Sequence, residues 1–253
     1  MKKLFYLFIA IALFLSSCTD EKVNNTTNSG TDFLVKKIVF TDHIENETIT
    51  TTLTYNGRKL VSMDLSNGMK LTYTYMGDLI TRVVSTKKDY KYTAEYTYAD
   101  GKLSSATGFE KGDNSKYRIK YTHKTDGTID YKSYDVDLID RSEKESVESG
   151  KYTYKNGNLI KKVTLFDAQE TIDVFEYDTK NYPLKNVTSI GLLLDNESEF
   201  SLNNIIKTIE TKDKSLGGTS TIVIIHDYNS SGYPTKSKET IDGKLSYTSQ
   251  YTY

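Results

Sequence analysis

A motif of alternating tyrosines recurs along this 253-residue chain, and it leaves few folds open. The copies read Leu53-Thr54-Tyr55-Asn56-Gly57, Tyr73-Thr74-Tyr75-Met76-Gly77 and Tyr96-Thr97-Tyr98-Ala99-Asp100-Gly101. Later ones are Tyr121-Thr122-His123 leading to Asp126-Gly127, and Tyr152-Thr153-Tyr154-Lys155-Asn156-Gly157. After the turn comes Leu60, Leu79, Leu103 or Leu159, and the chain ends on Tyr251-Thr252-Tyr253. Successive side chains of a strand point to opposite faces, so both rings of Tyr-Thr-Tyr share one face and Thr takes the other. Tyr and Thr favour strands, and Asn-Gly and Asp-Gly supply the positive φ of tight hairpin turns. Both prolines, Pro183 and Pro234, stand beside turn residues, where a missing N–H does not break a ladder. The nearest approach to a helical period is Phe200–Ile209, where Asn203-Asn204 and the β-branched residues favour a loop running into a strand. The expectation is an all-β domain over residues 33–253. It is an antiparallel meander of repeated β-hairpins forming an open curved sheet or partly closed barrel.

These units resemble the tyrosine–aspartate repeats of the YD/Rhs type, and resemble more closely the repeat-bearing lipoproteins of unknown function in Bacteroidota. Tyr177-Asp178, the Asp100-Gly101 and Asp126-Gly127 turns and Gly232-Tyr233-Pro234-Thr235-Lys236 carry the resemblance across roughly residues 50–253. Most copies lack the Tyr-Asp dipeptide, and unit lengths drift between about 20 and 50 residues. The family implies a hairpin architecture and an envelope location, with no established chemistry.

The N-terminus reads as an address. Lys2-Lys3 precede an unbroken apolar run, Leu4–Leu15. Twelve helical residues span about 18 Å, short of the roughly 30 Å hydrocarbon core, so a signal peptide fits and a membrane helix does not. Leu15-Ser16-Ser17-Cys18 then resembles the bacterial lipobox, and Cys18 is the only cysteine of the chain. The resemblance implies cleavage after residue 17 and lipid attachment, with palmitate among the acyl chains, on Cys18. Each buried methylene contributes about 0.8 kcal/mol, so two or three acyl chains hold a protein on the membrane. Residues 18–32 form a polar tether with a reach on the order of 20 Å. Asp20 and Glu21 resemble a surface-export signal of Bacteroidota lipoproteins; an ordinary acidic tether is the other reading.

Charge and chemistry exclude more than they assign. Thirty-three Lys+Arg balance 34 Asp+Glu, which argues against nucleic acid as a partner. The single cysteine rules out a disulfide scaffold and a thiolate zinc site. His43, His123 and His226 are far apart in sequence, and His123 takes the second-tyrosine place of its repeat. A catalytic pair at His226-Asp227 would need a nucleophile held within hydrogen-bond reach, and neighbouring strand residues face opposite ways. Asp135, Asp137 and Asp140 carry no calcium-loop pattern and read as a solvated face. The charged run Arg141–Gly150 reads as an exposed hairpin or loop, and Ser215–Ser220 as a flexible turn before a buried strand. No catalytic residue, metal ligand or cofactor is assigned.

The functional expectation is a non-enzymatic lipoprotein of the bacterial outer membrane, facing the surface or the periplasm. It is held through Cys18 and presents its β-body to a glycan, a peptide or an envelope protein. Tyrosines left uncovered and free sheet edges would be the capturing surfaces. The alternative is a periplasm-facing carrier of a lipid or other apolar ligand, with a continuous cavity lined by Leu60, Leu79, Leu103 and Leu159.

Overall fold

The computed structural model describes residues 33–194, 201–212 and 217–253. The signal segment, Cys18 and the tether with Asp20 and Glu21 lie outside the described residues. The strands are β1 (Lys37–Asp42), β2 (Glu47–Asn56), β3 (Lys59–Leu65), β4 (Lys70–Met76), β5 (Leu79–Lys87), β6 (Tyr90–Ala99), β7 (Lys102–Glu110) and β8 (Ser115–His123). They continue as β9 (Thr128–Asp137), β10 (Glu143–Lys155), β11 (Asn158–Phe166), β12 (Gln169–Tyr177), β13 (Ile205–Lys212), β14 (Thr219–Tyr228), β15 (Pro234–Ile241) and β16 (Lys244–Thr252). Each pairs antiparallel with its neighbour, and β1 also pairs with β16, from Lys37 opposite Thr252 to Asp42 opposite Tyr247. The meander therefore closes completely, where the sequence allowed an open sheet or partial closure. Closure satisfies both edges of every strand and removes the sheet edges expected to capture a peptide.

Tight turns at one end are built from the expected residues. Asp100-Gly101 and Asn156-Gly157 both have two consecutive positive φ values, 50° and 73° in the first and 53° and 78° in the second. That is the geometry whose twist matches the flanking strands.

Just beyond these turns a β-bulge recurs. The register slips between Thr54 and Tyr55, Thr74 and Tyr75, Thr97 and Tyr98, Thr153 and Tyr154, Glu176 and Tyr177, and Asp227 and Tyr228. A bulge leaves one residue unpaired and bends its strand. The next ladder stops short of it: β5 and β6 pair from Arg82–Glu95 onward, leaving the Ile80 carbonyl without a ladder partner. The second tyrosine of the following copy reaches it, with the Tyr98 hydroxyl donating to Ile80 O at 2.6 Å. The same bond joins Tyr55 to Val35 O at 2.7 Å, Tyr177 to Leu159 O at 2.6 Å and Tyr253 to Pro234 O at 3.1 Å. In the second copy Tyr75 instead accepts from Leu60 N at 3.1 Å. His123 fills the tyrosine place as expected, with Nε2 on Leu103 O at 2.8 Å.

The rings and post-turn aliphatics thus form the core. Leu60, Ile80, Leu103 and Leu159 are almost wholly buried, with Tyr96, Tyr121, Tyr131 and Tyr152 among them. Leu79 is only half-buried, because the core position after that turn belongs to Ile80. Two glycines make room for rings: a Cβ on Gly150 would lie 2.2 Å from Val163 O and 2.5 Å from the Tyr131 ring, and one on Gly108 would strike the Tyr92 hydroxyl.

Residues 178–194 and 201–204, between β12 and β13, cross the turn end of the barrel. Val187, Ile190 and Leu193 of this segment are buried in the core, and Ile190–Leu192 is a single 3-10 turn. It bonds to several hairpins in passing. Arg58 Nε donates to Asn186 O at 2.8 Å, Ser189 Oγ to Asp78 O at 2.5 Å, and Leu202 N to Asn158 Oδ1 at 2.9 Å. Asp178 anchors its start, accepting from Lys180 N at 2.9 Å, from Asn204 N at 3.1 Å and from the Tyr228 hydroxyl. A connection this long, with no strand among its described residues, is unusual in a compact fold and points to a role.

Tyr177→Phe strands the buried Leu159 carbonyl and is expected to cost about 1–3 kcal/mol in denaturant unfolding. A loss below a few tenths of a kcal/mol would show that the carbonyl finds another donor. Gly150→Ala is expected to destabilise by at least about 1–3 kcal/mol, since main chain and not only a mobile side chain must yield; an unchanged melting temperature would refute the close packing of Tyr131.

Candidate functional site

Side chains alternate between a polar skin and the interior. On the outer face of β5–β10 stand Arg82, Glu95, Lys116, Arg118, Lys120, Lys132 and Glu143. Arg118 Nη1 lies 3.3 Å from Glu143 Oε2, and Lys120 Nζ pairs with Glu143 at 2.5 Å. Lys132 pairs with Glu145 at 2.8 Å. The outer face of β11–β14 is more aliphatic, with Leu165, Val174, Val223 and Ile225 exposed.

Inside, two regions differ in chemistry. Toward β8–β12 the interior is polar. Tyr117 donates to Glu148 Oε2 at 3.1 Å, and Tyr131 to Thr164 Oγ1 at 3.2 Å. Burial, then the charge of Glu148, pushes both phenols up to about 12. Glu148 belongs to the run Arg141–Gly150 expected in an exposed hairpin or loop. Most of that run is the first half of β10, in the β9–β10 hairpin and largely exposed as expected, and a register break between Glu145 and Ser149 accompanies the inward turn of Glu148.

The second region is a cavity of about 280 Å³ beneath the crossing segment, on the β13–β16 and β1 side. Ile38 and Phe40 of β1, Ile224 of β14 and Leu184 of the crossing segment form apolar walls. Phe40 stacks on Tyr247, ring centres 5.1 Å apart. His226, Ser237 and Tyr251 form a polar floor. His226 Nε2 lies 2.8 Å from Ile205 O, a group that only accepts, so Nε2 carries a proton; Nδ1 lies 2.7 Å from Ser237 Oγ. Here His226 replaces the tyrosine that bonds the bulge carbonyl elsewhere, since Tyr228 is engaged by Asp178. Both ring nitrogens are occupied, and Asp227 faces outward as expected.

Glu239 also lines the cavity. Its carboxylate accepts from Ser246 Oγ at 3.0 Å, and among the described residues no Lys or Arg pairs with it. Burial raises its pKa above the ordinary glutamate value, with the Ser246 hydrogen bond opposing. Sequence reading missed Glu239. The available signal was the inward alternation Ser237, Glu239, Ile241 on a strand beside a barrel seam. A second cavity, about 400 Å³, lies at the turn end and is lined by Leu103, His123, Ile129 and Leu192.

The remaining sequence candidates stay apart. His43 is exposed and meets Thr248 Oγ1 at 3.0 Å. Asp137 holds a turn by accepting from Ile139 N at 2.6 Å and Asp140 N at 3.2 Å, while Asp135 is exposed. No cluster of three or more metal-binding side chains occurs among the described residues. The strand after the Gly-rich turn, β14, is half exposed rather than buried.

The barrel has known counterparts. The chain is similar to two Bacteroides porin-like proteins. That from Bacteroides vulgatus is 16% identical, with a TM-score of 0.59 over 88% of this chain and 99% of its own. That from Bacteroides uniformis is 16% identical, with a TM-score of 0.52 over 86% of this chain and 96% of its own. No protein-family model matches the chain, and no curated protein matches it. At this identity the likeness is one of fold.

A carboxyl whose pKa is raised in the folded state binds its proton more tightly there than in the unfolded chain. Stability contributed by protonated Glu239 is therefore present at low pH and lost as pH rises from the ordinary glutamate value through the raised one. Glu239→Gln is expected to flatten the fall in melting temperature across that window; a parallel profile for variant and wild type would contradict the buried placement.

Proposed function

We propose that this chain is a non-enzymatic lipoprotein of the bacterial outer membrane, held through Cys18, whose barrel stands beside the bilayer and binds a ligand in its interior. The observation that carries the reading is the combination of a charged skin with a stopped interior. Arg82, Glu95 and Arg118 sit on the outer face well inside their strands, where a spanning barrel meets hydrocarbon. Each lipid-facing Arg or Lys near the bilayer midplane costs about 2–4 kcal/mol. Packed tyrosines and the crossing segment occupy the space that a pore would leave to water.

The position of the first described residue supports an anchor. Phe33 stacks on Tyr233, 5.2 Å between ring centres, at the turn end crossed by the segment between β12 and β13. A tether from Cys18 would hold that end toward the membrane and point the opposite hairpins away. The rings of the Tyr-Thr-Tyr repeats pack into the core, so an external platform of these tyrosines for glycans or peptides loses its basis and the binding capacity lies in the cavity.

The carrier reading keeps one observation in its favour, the apolar wall of Ile38, Phe40, Ile224 and Leu184. Its cavity is not the expected one. Leu60 and Leu159 are packed against rings, and only Leu103 of the four expected leucines lines an opening.

Cys18→Ala is expected to abolish labelling by a palmitate analogue and release the protein from the membrane fraction; a labelled, membrane-bound variant would refute the anchor. The wild-type lipoprotein is expected to give no conductance steps in planar bilayers, and regular steps would restore a pore. Protease shaving of intact cells with a tag after Tyr253 separates surface from periplasm. Loss of the tag favours a surface binding module, and protection until permeabilisation favours the carrier.

A further inference from the structure

The geometry points to a small organic amine, a protonated head on an apolar body, as the ligand of the cavity between β13, β16 and the crossing segment. This inference rests on the reading of the barrel as an internal binding module. The cavity, about 280 Å³, stands at the lower end of the roughly 300–1,000 Å³ found for small-molecule sites. Its walls set the body of the ligand: Ile38, Phe40, Ile224 and Leu184 offer hydrocarbon and one aromatic surface.

Its charge sets the head. No Lys or Arg lines the cavity. His226 has both nitrogens committed, to Ser237 and to the Ile205 carbonyl. A carboxylate or phosphate ligand would therefore meet no free cation and would be repelled by Glu239. Glu239 has the Ser246 hydroxyl as its partner and keeps acceptor capacity toward the cavity. Phe40 and Tyr247, stacked on each other beside it, add ring faces of the kind that attract cations. An ammonium group there gains a charge-assisted hydrogen bond to the half-buried carboxylate. The raised pKa of Glu239 describes the empty site and falls when a cation binds.

The test uses the full chain in lipid nanodiscs and isothermal titration calorimetry with three probes of one shape: phenethylammonium, phenethyl alcohol and hydrocinnamate. The ammonium is expected to bind roughly tenfold tighter than the alcohol, as one charge-assisted bond implies, and hydrocinnamate weakest. Glu239→Gln, which keeps the size and the Ser246 contact, is expected to erase the gap between ammonium and alcohol. A matching thermal melt at low pH controls for folding. Equal binding of ammonium and alcohol, or a gap that survives in Glu239→Gln, overturns the amine assignment and leaves the cavity as a binding site. No heat with any probe overturns the assignment and removes the cavity from the proposed function as well.

Discussion

The bond from a tyrosine hydroxyl to a main-chain carbonyl one hairpin away organises this barrel. A bulge beside each tight turn frees a carbonyl inside the wall, and a buried acceptor left unmet costs about 1–3 kcal/mol. The ring from the next hairpin meets it, at Ile80, Leu159 and Pro234 alike. One side chain thereby fills the core, satisfies the backbone and fixes the register of its neighbour. Because ladders stop short at these bulges, rings rather than backbone bonds join the strands at the turn end, and that is the end where residues 178–194 and 201–204 find purchase.

Much of this architecture is legible in the residues. Period-two tyrosines, Asn-Gly and Asp-Gly turns and the absence of a helical period specify an antiparallel meander, and the place of His123 in its repeat foretells its bond. Closure is not legible locally, because the pairing of β1 with β16 joins Lys37 to Thr252 across the whole chain, and no short-range pattern encodes it. The crossing segment was hidden for a different reason. Leu184, Val187, Ile190 and Leu193 lack strand alternation, and their burial follows from the barrel mouth they cover.

The site was less legible than the fold. Glu239 looks like any charge in Lys236-Ser237-Lys238-Glu239-Thr240 until the bulged registers of β15 assign Glu239 to the interior and both lysines to the skin. His226 has the opposite history. In sequence it stands beside an aspartate and invites a catalytic reading, and in the fold it does the structural work of a missing tyrosine.

The stacking of Phe33 on Tyr233 has a mechanical side. Traction on the residues before Phe33 first meets that ring pair and then β1, whose two edges are zipped to β2 and β16. Force along a strand held on both sides loads its hydrogen bonds together, in shear, instead of peeling them one by one. A body tethered at this corner would resist drag at the cell envelope without unravelling from its leash.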